Sequence, residues 1–440
     1  MNTPSHEVSH PLAGDPTPAA PQGMFPTVAE VRLLEEEVRR LRGDSDGQDL
    51  MQLVPGSLAL SDGLHAMSAE LFAGLDQQWE AAPAGSEDRR NIHALKSRTM
   101  SVSDLDPDGQ LYGHFANNPN SIANWLPSMC RAVDDAGPGA GFHIPETRVV
   151  RLPPELAQFI RLEYSVTTEA SRAAFNKVVQ RLFDLPDEGT YFIKTGTFSC
   201  KFEFANCKCS EPDEMGEYFQ VINNSAMALG AGDSIDLCVR EYITDPGDSA
   251  EESIYHGMPL RCEARAFVDF DHPGGPRLLG VTPYWHPTVM NSAMAVSQTL
   301  PIPSLRGDLG RWKRAWPRLR RQYDQHLGPI SDNLRGLLPH LAQHGWSGQW
   351  SIDVMVADGK YWLIDAALMG SSALVDVLRN VEEQHAFVTP AEIDALMTEE
   401  KTQVLNYQAP ASPFPVGGVF DTRSPGVLGS AYKALAGPAG

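Results

Sequence analysis

The chain has 440 residues, of which 42% belong to the hydrophobic set and 21% are charged. This content is enough to bury a sizeable core, which excludes general disorder, and the length indicates about two or three domains or one large domain with tails. Lys and Arg number 35 against 56 Asp and Glu, a net charge of −21, so no nucleic-acid partner is expected to bind through clustered cations.

The sequence also carries signals for its compartment. It contains no uninterrupted apolar stretch long enough to cross a membrane, so no membrane span is expected. Residues 1–26 are polar and rich in proline rather than basic and then apolar, so no signal peptide is predicted. Six cysteines in so long a chain then indicate reduced thiols and a cytoplasmic protein.

Composition divides the chain into segments. Residues 1–26 lack the apolar residues of a core, and an apolar stripe predicts a helix over Thr27–Arg42. The glycine-rich run Asp134–Gly141 is predicted to be a domain boundary. The predicted segments are a disordered tail (1–26), an N-terminal region (27–140), a main domain (141–385), a C-terminal helix (386–408) and a flexible tail (409–440).

Strand and helix patterns alternate in mixed order beyond the boundary. Predicted strands are Thr147–Leu152, Tyr191–Lys194, Leu237–Ile243, Arg261–Asp269, Leu278–Thr282, Gly348–Ala357 and Lys360–Ala366. Predicted helices are Thr168–Phe183, Leu309–Leu327, Ser331–His344 and Thr389–Leu405. This order indicates an α+β fold, or an α/β fold with an antiparallel component.

The first candidate functional segment is a strand that ends in a lysine. Lys194 is followed by the loop Thr195–Ser199, which consists mainly of small and hydroxylated residues. A lysine is a compact charge suited to phosphate oxygens, and Gly196 would let backbone N–H groups approach them. The segment lacks the spacing of a P-loop, and a lysine beside a turn glycine also occurs for purely structural reasons.

The second segment is Val239–Ile243, a strand that runs into the acidic loop Asp245–Glu252. Backbone groups at the end of such a strand can bracket a purine, and an acid from the loop can reach ribose hydroxyls. The alternative is a surface strand with its charged residues pointing outward.

The third segment is the strand around Glu263. Alternation places Arg261, Glu263 and Arg265 on one face of this strand. A guanidinium held by a carboxylate can stabilise the charge that develops on a transferred phosphoryl group. The alternative is a cross-strand ion pair that contributes little energy.

The fourth segment brings two acids together. Asp358-Gly359 between two apolar runs is a strong signal for a β-hairpin, and this turn makes Asp365 the partner of residue 352 or 353. Asp353 and Asp365 are therefore expected to lie opposite each other, which is destabilising unless a cation or a proton separates them. Mg²⁺ held by one or two carboxylates and by substrate phosphates meets this need. A register slip by one residue would turn the two acids to opposite faces.

In their order and spacing these motifs resemble those of ATP-grasp proteins over about Phe142–Leu378. In detail they resemble a divergent branch that contains the eukaryotic cell-division-cycle protein which helps to assemble a translation initiation factor, with its bacterial and phage relatives. The resemblance implies an ATP-grasp α+β fold, in which two subdomains with mainly antiparallel sheets clasp a nucleotide. It also implies that the smaller N-terminal region stands where a reduced pre-ATP-grasp domain would precede the core.

The resemblance implies ATP and Mg²⁺ as cofactors and a role for individual residues. Lys194 would contact the ATP phosphates, and Arg265 would lie near the transferred phosphoryl group. The phosphate-covering loop would include Thr195, Gly196, Thr197 and Ser199; the adenine contacts would be Glu241, Tyr242 and Ile243; the ribose contact would be Asp245 or Asp248; and the Mg²⁺ ligands would be Asp353 and Asp365. An earlier basic phosphate contact has three candidates, Arg131, Arg148 and Arg151.

Two functions follow from this reading. The first is an ATP- and Mg²⁺-dependent ligase that joins a small-molecule or peptide carboxylate to an amine through an acylphosphate. The second is a nucleotide-binding assembly factor or chaperone with a protein partner and little turnover. The second is motivated by Ala367, because most members of the resembled family carry an asparagine ligand at this position.

Two weaker signals lie outside these motifs. Cys207 and Cys209, with Cys200 before them, invite a zinc interpretation, but no second closely spaced pair of cysteines follows. The run Arg311–Arg321 is basic, and a solvated helix face and contact with an acidic partner are both open interpretations.

Overall fold

The computed structural model describes residues 115–291, 307–379, 385–405 and 418–428 apart from positions 153, 163, 185, 187 and 230, together with 33–34, 36, 77–78 and 81–83. The predicted tail 1–26 and most of the predicted helix Thr27–Arg42 lie outside these residues. Within that helix, Leu34 is helical and fully buried.

The elements are numbered here in chain order. The strands are β1 Phe142–His143, β2 Thr147–Arg151, β3 Tyr191–Thr195, β4 Lys208–Cys209, β5 Asp236–Glu241, β6 Ser253–Ile254, β7 Met258–Pro259, β8 Cys262–Asp269, β9 Arg277–Pro283, β10 Gln349–Ala357, β11 Lys360–Leu368, β12 His385–Ala386, β13 Val419–Asp421 and β14 Ser424–Leu428. The α-helices are α1 Ile122–Ala136, α2 Pro154–Ile160, α3 Glu169–Phe183, α4 Phe204–Cys207, α5 Met215–Ala228, α6 Asp308–Gln343, α7 Val375–Leu378 and α8 Pro390–Leu405.

The strands form two six-stranded sheets and a short two-stranded one. The first sheet has the order β1-β11-β10-β8-β9-β12, and the second has the order β14-β13-β2-β5-β3-β4. Neighbouring strands are antiparallel except for β1 and β11. The predicted α+β class with two mainly antiparallel sheets is therefore confirmed.

The β10–β11 hairpin forms where Asp358-Gly359 predicts it. Asp358 has φ +51° and Gly359 has φ +68°, the two positive values that a tight hairpin turn requires and that this residue pair tolerates. The turn sets the register of the residues next to it, from Ala357↔Lys360 to Val354↔Leu363, and the register shifts by one residue between Val354 and Asp353.

Each large sheet has its own hydrophobic core. Helices α3 and α5 cover the second sheet, where the rings of Phe183 and Phe219 stack with centroids 5.8 Å apart. Helices α1 and α6 belong to a cluster with strands of the first sheet, and this cluster also contains Val149 of β2 and Cys238 of β5. The two sheets are thus in contact along one side, and a cleft opens on the other.

The predicted elements agree with the structure except in two places. The helices predicted at Leu309–Leu327 and Ser331–His344 are one helix, α6, which continues through Pro329. The apolar stripe runs unbroken across that position, so burial against the first sheet overrides the local breaker.

The second exception is the C-terminal tail predicted from 409 onward. Residues 418–428 form the hairpin β13–β14, which extends the second sheet beside β2, and Val419 and Phe420 are buried there. Local sequence does not predict this strand, because Pro and Gly surround it and its pairing partner lies far away along the chain. Over these residues the tail prediction is wrong.

The remaining domain divisions stay predictions. Helix α1 ends at Ala136, inside the run predicted to be a boundary, and it packs into the same core as strands of the main domain. No helix among the described residues is long and apolar enough to cross a membrane.

Candidate functional site

A cleft between the two sheets collects most of the residues singled out from the sequence. It encloses about 860 Å³ of empty space, part of it open to solvent. One end is apolar and is lined by Phe192, Phe204, Tyr242, Met258 and Met355. The other end carries the charged residues Lys194, Asp353 and Asp365, and the charged side chains of Lys201, Arg240, Arg261 and Glu263 also line the cleft.

The two aspartates lie opposite each other, as predicted. Asp353 and Asp365 are register partners in the β10–β11 hairpin because an irregularity between Asp353 and Val354, on the turn side of the pair, shifts the register by one residue. On its other side Asp353 is the register partner of Arg265 in β8. Three charged residues of three neighbouring strands therefore form one row across the first sheet.

Each of the two acids is paired with a basic side chain. Arg265 donates from Nε and Nη2 to the two carboxylate oxygens of Asp353, at 2.6 and 2.7 Å. Lys194 reaches across from the second sheet and donates from Nζ to Oδ1 of Asp365 at 3.0 Å. Burial alone would raise the pKa of Asp365, but the charges of Lys194 and Arg240 outweigh it and hold that pKa below its usual value.

Asp353 and Asp365 are the residues of this row that could hold a Mg²⁺ ion together with phosphate oxygens of a ligand, because carboxylate oxygens are the hard ligands that Mg²⁺ prefers. Both oxygens of Asp353 also accept hydrogen bonds from Arg265. Ala367 has no side-chain oxygen, and the hydroxyl of Ser372 already accepts a hydrogen bond from Arg265 at 2.8 Å. Among the described residues no three His, Cys, Asp or Glu side chains are grouped in a way that could hold a metal without a ligand's help.

The loop after Lys194 is only partly directed into the cleft. Ser199 lines the cleft, but Thr195, Gly196 and Thr197 use their polar groups within the protein. Thr195 Oγ1 donates to the carbonyl of Phe198 at 3.1 Å, and Thr197 Oγ1 donates to the carbonyl of Ala231 at 2.9 Å.

Gly196 faces the interior rather than the cleft. Its N–H donates to the carbonyl of Asp236 at 2.7 Å. A Cβ at this position would lie 2.1 Å from Oγ of Ser234 and 2.2 Å from Oγ of Ser121. The glycine is needed because the loop packs against the start of α1, a reason that differs from the phosphate approach expected from the sequence.

The predicted adenine contacts lie at the apolar end. Glu241, Tyr242 and Ile243 all line the cleft beside the end of β5. The Glu241 side chain accepts from the backbone N–H of Glu146 at 2.8 Å, which ties this strand end to the start of β2. The carbonyl of Ile243 accepts from Nη2 of Arg261 at 2.8 Å.

Of the two candidate ribose acids, Asp245 is the one that the structure keeps away from the cleft. Its Oδ1 accepts from the N–H of Gly247 at 2.7 Å, and its Oδ2 accepts from the N–H of Asp358 at 2.6 Å, so it braces the hairpin turn. Asp248 is held by the cleft-lining Arg261 at 2.8 and 2.5 Å.

The earlier basic contact left open by the sequence is not provided by either buried candidate. Arg148 is bound to Asp421 at 2.7 Å, and Arg151 is bound to Asp236 at 2.8 Å, both in the interior. Arg131 is exposed on α1. Arg240 lines the cleft instead. It belongs to the Val239–Ile243 segment, in which only the residues after it are predicted to contact the nucleotide.

Two further charged residues of the cleft were not identified as site residues from the sequence. Burial lowers the pKa of Lys201 to about 8 and raises the pKa of Glu263 to about 7. Lys201 Nζ lies 4.0 Å from the ring centroid of Tyr284, and the guanidinium carbon of Arg265 lies 4.9 Å from it. Glu263 lies in the third candidate segment, where Arg265 is the predicted site residue. Lys201 follows the loop Thr195–Ser199, and no sequence pattern marks it as a site residue.

The two weaker sequence signals, the cysteines and the basic run of α6, are not among the residues that line the cleft. Burial raises the pKa of Cys207 and of Cys209, and both thiols are buried and unpaired by disulfides. In the basic run of α6, Arg318 pairs with Glu252 and Arg320 pairs with Asp324 at 2.9 Å.

Comparisons with known proteins give likenesses of structure only. The sequence matches no family model, and no curated protein matches it significantly. Cdc123 from Schizosaccharomyces pombe, in a C-terminally truncated form, is 14% identical with a TM-score of 0.33, and the match covers 63% of this chain and 90% of that one.

Two ligases show a similar degree of likeness. D-alanyl-alanine synthetase A from Vibrio cholerae is 12% identical with a TM-score of 0.27, covering 60% of this chain and 61% of that one. Phosphoribosylamine–glycine ligase from Thermotoga maritima is 9% identical with a TM-score of 0.28, covering 64% and 59%. At these values the likenesses say nothing about the activity of this chain, which has to be judged from its own side chains.

Proposed function

We propose that this protein binds ATP with Mg²⁺ in the cleft and uses it to join a carboxylate to an amine. The observation that carries the proposal is the continuity of the cleft. An apolar pocket beside a strand end opens directly into a row of charge, Lys194–Asp365 and Asp353–Arg265, contributed by both sheets. A nucleotide has its parts in the same order, an apolar base followed by a charged phosphate tail.

The apolar end suits the adenine ring. Phe192, Met258 and Met355 supply flat and adaptable apolar contacts, and the backbone at Tyr242 and Ile243 lies at the rim. A base bound there directs its phosphates toward Lys194, whose side chain is almost fully buried and therefore held in place. A fixed cation of this kind positions a polyphosphate with little loss of conformational entropy.

The chemistry would proceed in two displacements. A carboxylate oxygen of the acid attacks the γ-phosphorus, the bond to the bridging oxygen breaks, and ADP leaves with the electron pair. The amine then attacks the acyl carbon, phosphate leaves, and the nitrogen releases a proton to water. When bound by Asp353 and Asp365, Mg²⁺ would neutralise charge on the phosphate oxygens.

The protein's own groups would orient the reactants and offset charge. Lys194 would hold a phosphate from the second sheet, while Arg265, fixed by both oxygens of Asp353 and by Ser372, would add its charge from beside the cleft. Such preorganised cations stabilise phosphoryl transfer without rearranging during the step. Asp365, kept ionised by its depressed pKa, stays a carboxylate throughout the neutral pH range.

Two measurements test the proposal. ATP or ADP with Mg²⁺ should raise the thermal midpoint of the protein, because a ligand that prefers the native state stabilises it. ADP and phosphate should then be released only when an acid and an amine are both present. Asp365→Asn should lower that release by about 100-fold or more, while the exposed Asp332→Asn, matched in chemistry, should leave it unchanged.

A nucleotide-binding assembly factor is the second candidate, and Ala367 favours it. With this side-chain oxygen absent, the cleft holds a nucleotide with fewer metal ligands. Asp365→Asn would then weaken a complex recovered with the tagged protein, with no product to lose. Intact ATP binding without ADP release across a broad panel of acids and amines would reject the ligase and leave this candidate.

A further inference from the structure

Among the described residues four arginines are buried, at 9% exposure or less, and three of them share one mode of pairing. Each directs its Nε–Nη2 edge at an aspartate. Arg148 donates from both atoms to Asp421 at 3.0 and 2.7 Å, Arg151 to Asp236 at 2.8 and 3.0 Å, and Arg261 to Asp248 at 2.8 and 2.5 Å. This edge of a guanidinium matches the two oxygens of an acid group.

The fourth, Arg240, has the same edge without a partner. Its Nη1 donates to the carbonyl of Ile364, but its Nε and Nη2 are buried and make no hydrogen bond within the described part of the chain. The side chain is 3% exposed and lines the cleft. A buried guanidinium edge of this kind is unfavourable unless an acidic group fills it.

The position of Arg240 indicates which acidic group that is. It directly precedes Glu241 at the adenine end, and its register partner in β3 is Phe192, two residues before Lys194. Directly opposed residues point to the same face, so Arg240 and Lys194 lie side by side and both reach β11. Lys194 meets the carboxylate of Asp365 there, whereas Arg240 meets only the carbonyl beside it.

We infer that Arg240 binds a phosphate of the nucleotide that is not transferred, through paired hydrogen bonds from Nε and Nη2. This inference rests on the proposed nucleotide site and assigns to it a residue that sequence motifs did not. Arg240 supplies the basic phosphate contact for which Arg148 and Arg151 were candidates. Both of those arginines are instead bound to aspartates in the interior. Because its charge acts on the phosphates directly, ADP binding should persist when Mg²⁺ is removed.

Calorimetric titration of the full chain with ADP, adenosine and pyrophosphate, in the presence of EDTA, tests the inference. Arg240→Met should weaken ADP binding by about 10- to 100-fold, the loss typical of a paired charged hydrogen bond, and leave adenosine binding unchanged. Arg240→Lys, which keeps the charge but not the edge, should fall between. The exposed Arg335→Met is the matched control and should bind as the wild type does.

The ligand-free thermal midpoint separates this role from a structural one. Removing an unfilled guanidinium edge should leave the midpoint of Arg240→Met equal to or above that of the wild type. A lower midpoint together with unchanged ADP affinity would overturn the inference. If the wild type binds pyrophosphate through Arg240 but no nucleotide, the proposed function fails while the phosphate contact stands; if it binds neither, both fail.

Discussion

Two groups of buried charge lie at opposite ends of one face of β5, around Asp236 and around Arg240, and they differ in how their hydrogen bonds are used. In the interior group, Asp236 accepts from Arg151 at 2.8 and 3.0 Å and from Oγ of Ser121 at 2.5 Å, so its carboxylate is fully used. In the cleft group, Arg240 and Glu263 form no ion pair within the described residues, and Lys201 contacts only aromatic rings.

The difference teaches how to tell a structural cluster from a binding site in one molecule. Both groups contain arginine and aspartate, and residue type alone does not distinguish them. The two groups differ in whether the donors and acceptors of their charged side chains have partners within the described residues. A satisfied network stabilises the fold, whereas an unsatisfied one lowers the stability of the ligand-free protein and can be completed only by a ligand.

The largest effect is expected in the interior group. Asp236→Asn removes a carboxylate that pairs with Arg151, a cation whose side chain is 1% exposed. The free energy of unfolding should fall by about 3–5 kcal/mol, measured by urea denaturation. Asp332→Asn, which breaks an exposed ion pair with Arg335, should leave the unfolding curve almost unchanged; an equal loss in both variants would contradict the contrast.

A smaller effect is expected where the interior group meets the loop. Gly196→Ala would place a methyl group 2.1 and 2.2 Å from the hydroxyls of Ser234 and Ser121, which are buried. Overpacking of this kind costs about 1–3 kcal/mol of stability. Gly139→Ala is the matched control, because nothing lies within 4 Å of its added Cβ, and it should change stability by less than about 0.5 kcal/mol. If both alanines were tolerated equally, the loop would not depend on this packing.

The sequence predicted those features that neighbouring residues determine. Asp358-Gly359 fixes the turn, and counting from it brings Asp365 opposite residue 352 or 353. The register shift between Asp353 and Val354, which no sequence pattern predicted, makes the two acids direct partners. The strand bounds followed from alternation for the same reason. Local patterns also placed Lys194 at the end of its strand.

Features that depend on distant partners were not predictable in this way. The neighbours that require a glycine at Gly196 are Ser121 and Ser234, which lie 75 and 38 positions away along the chain. Arg240 is distinguished from Arg148 only by the lack of an acid opposite its side chain, and no sequence pattern reports a missing contact. The hairpin at 418–428 likewise gains its order from pairing with β2.

The smallest effect is expected in the cleft group, and it depends on pH. Burial raises the pKa of Glu263 from 4.5 to about 7, although the charge of Lys201 opposes the shift. Between these two values the unfolded chain has released the proton and the folded chain still holds it, so stability falls as pH rises and levels off above about 7. Glu263→Gln removes this loss, and its thermal midpoint should exceed that of the wild type by an amount that grows from pH 5 to 7 and is then constant. The exposed Glu251→Gln should show no such trend; a difference that is the same at every pH would mean that Glu263 ionises as freely in the fold as in water.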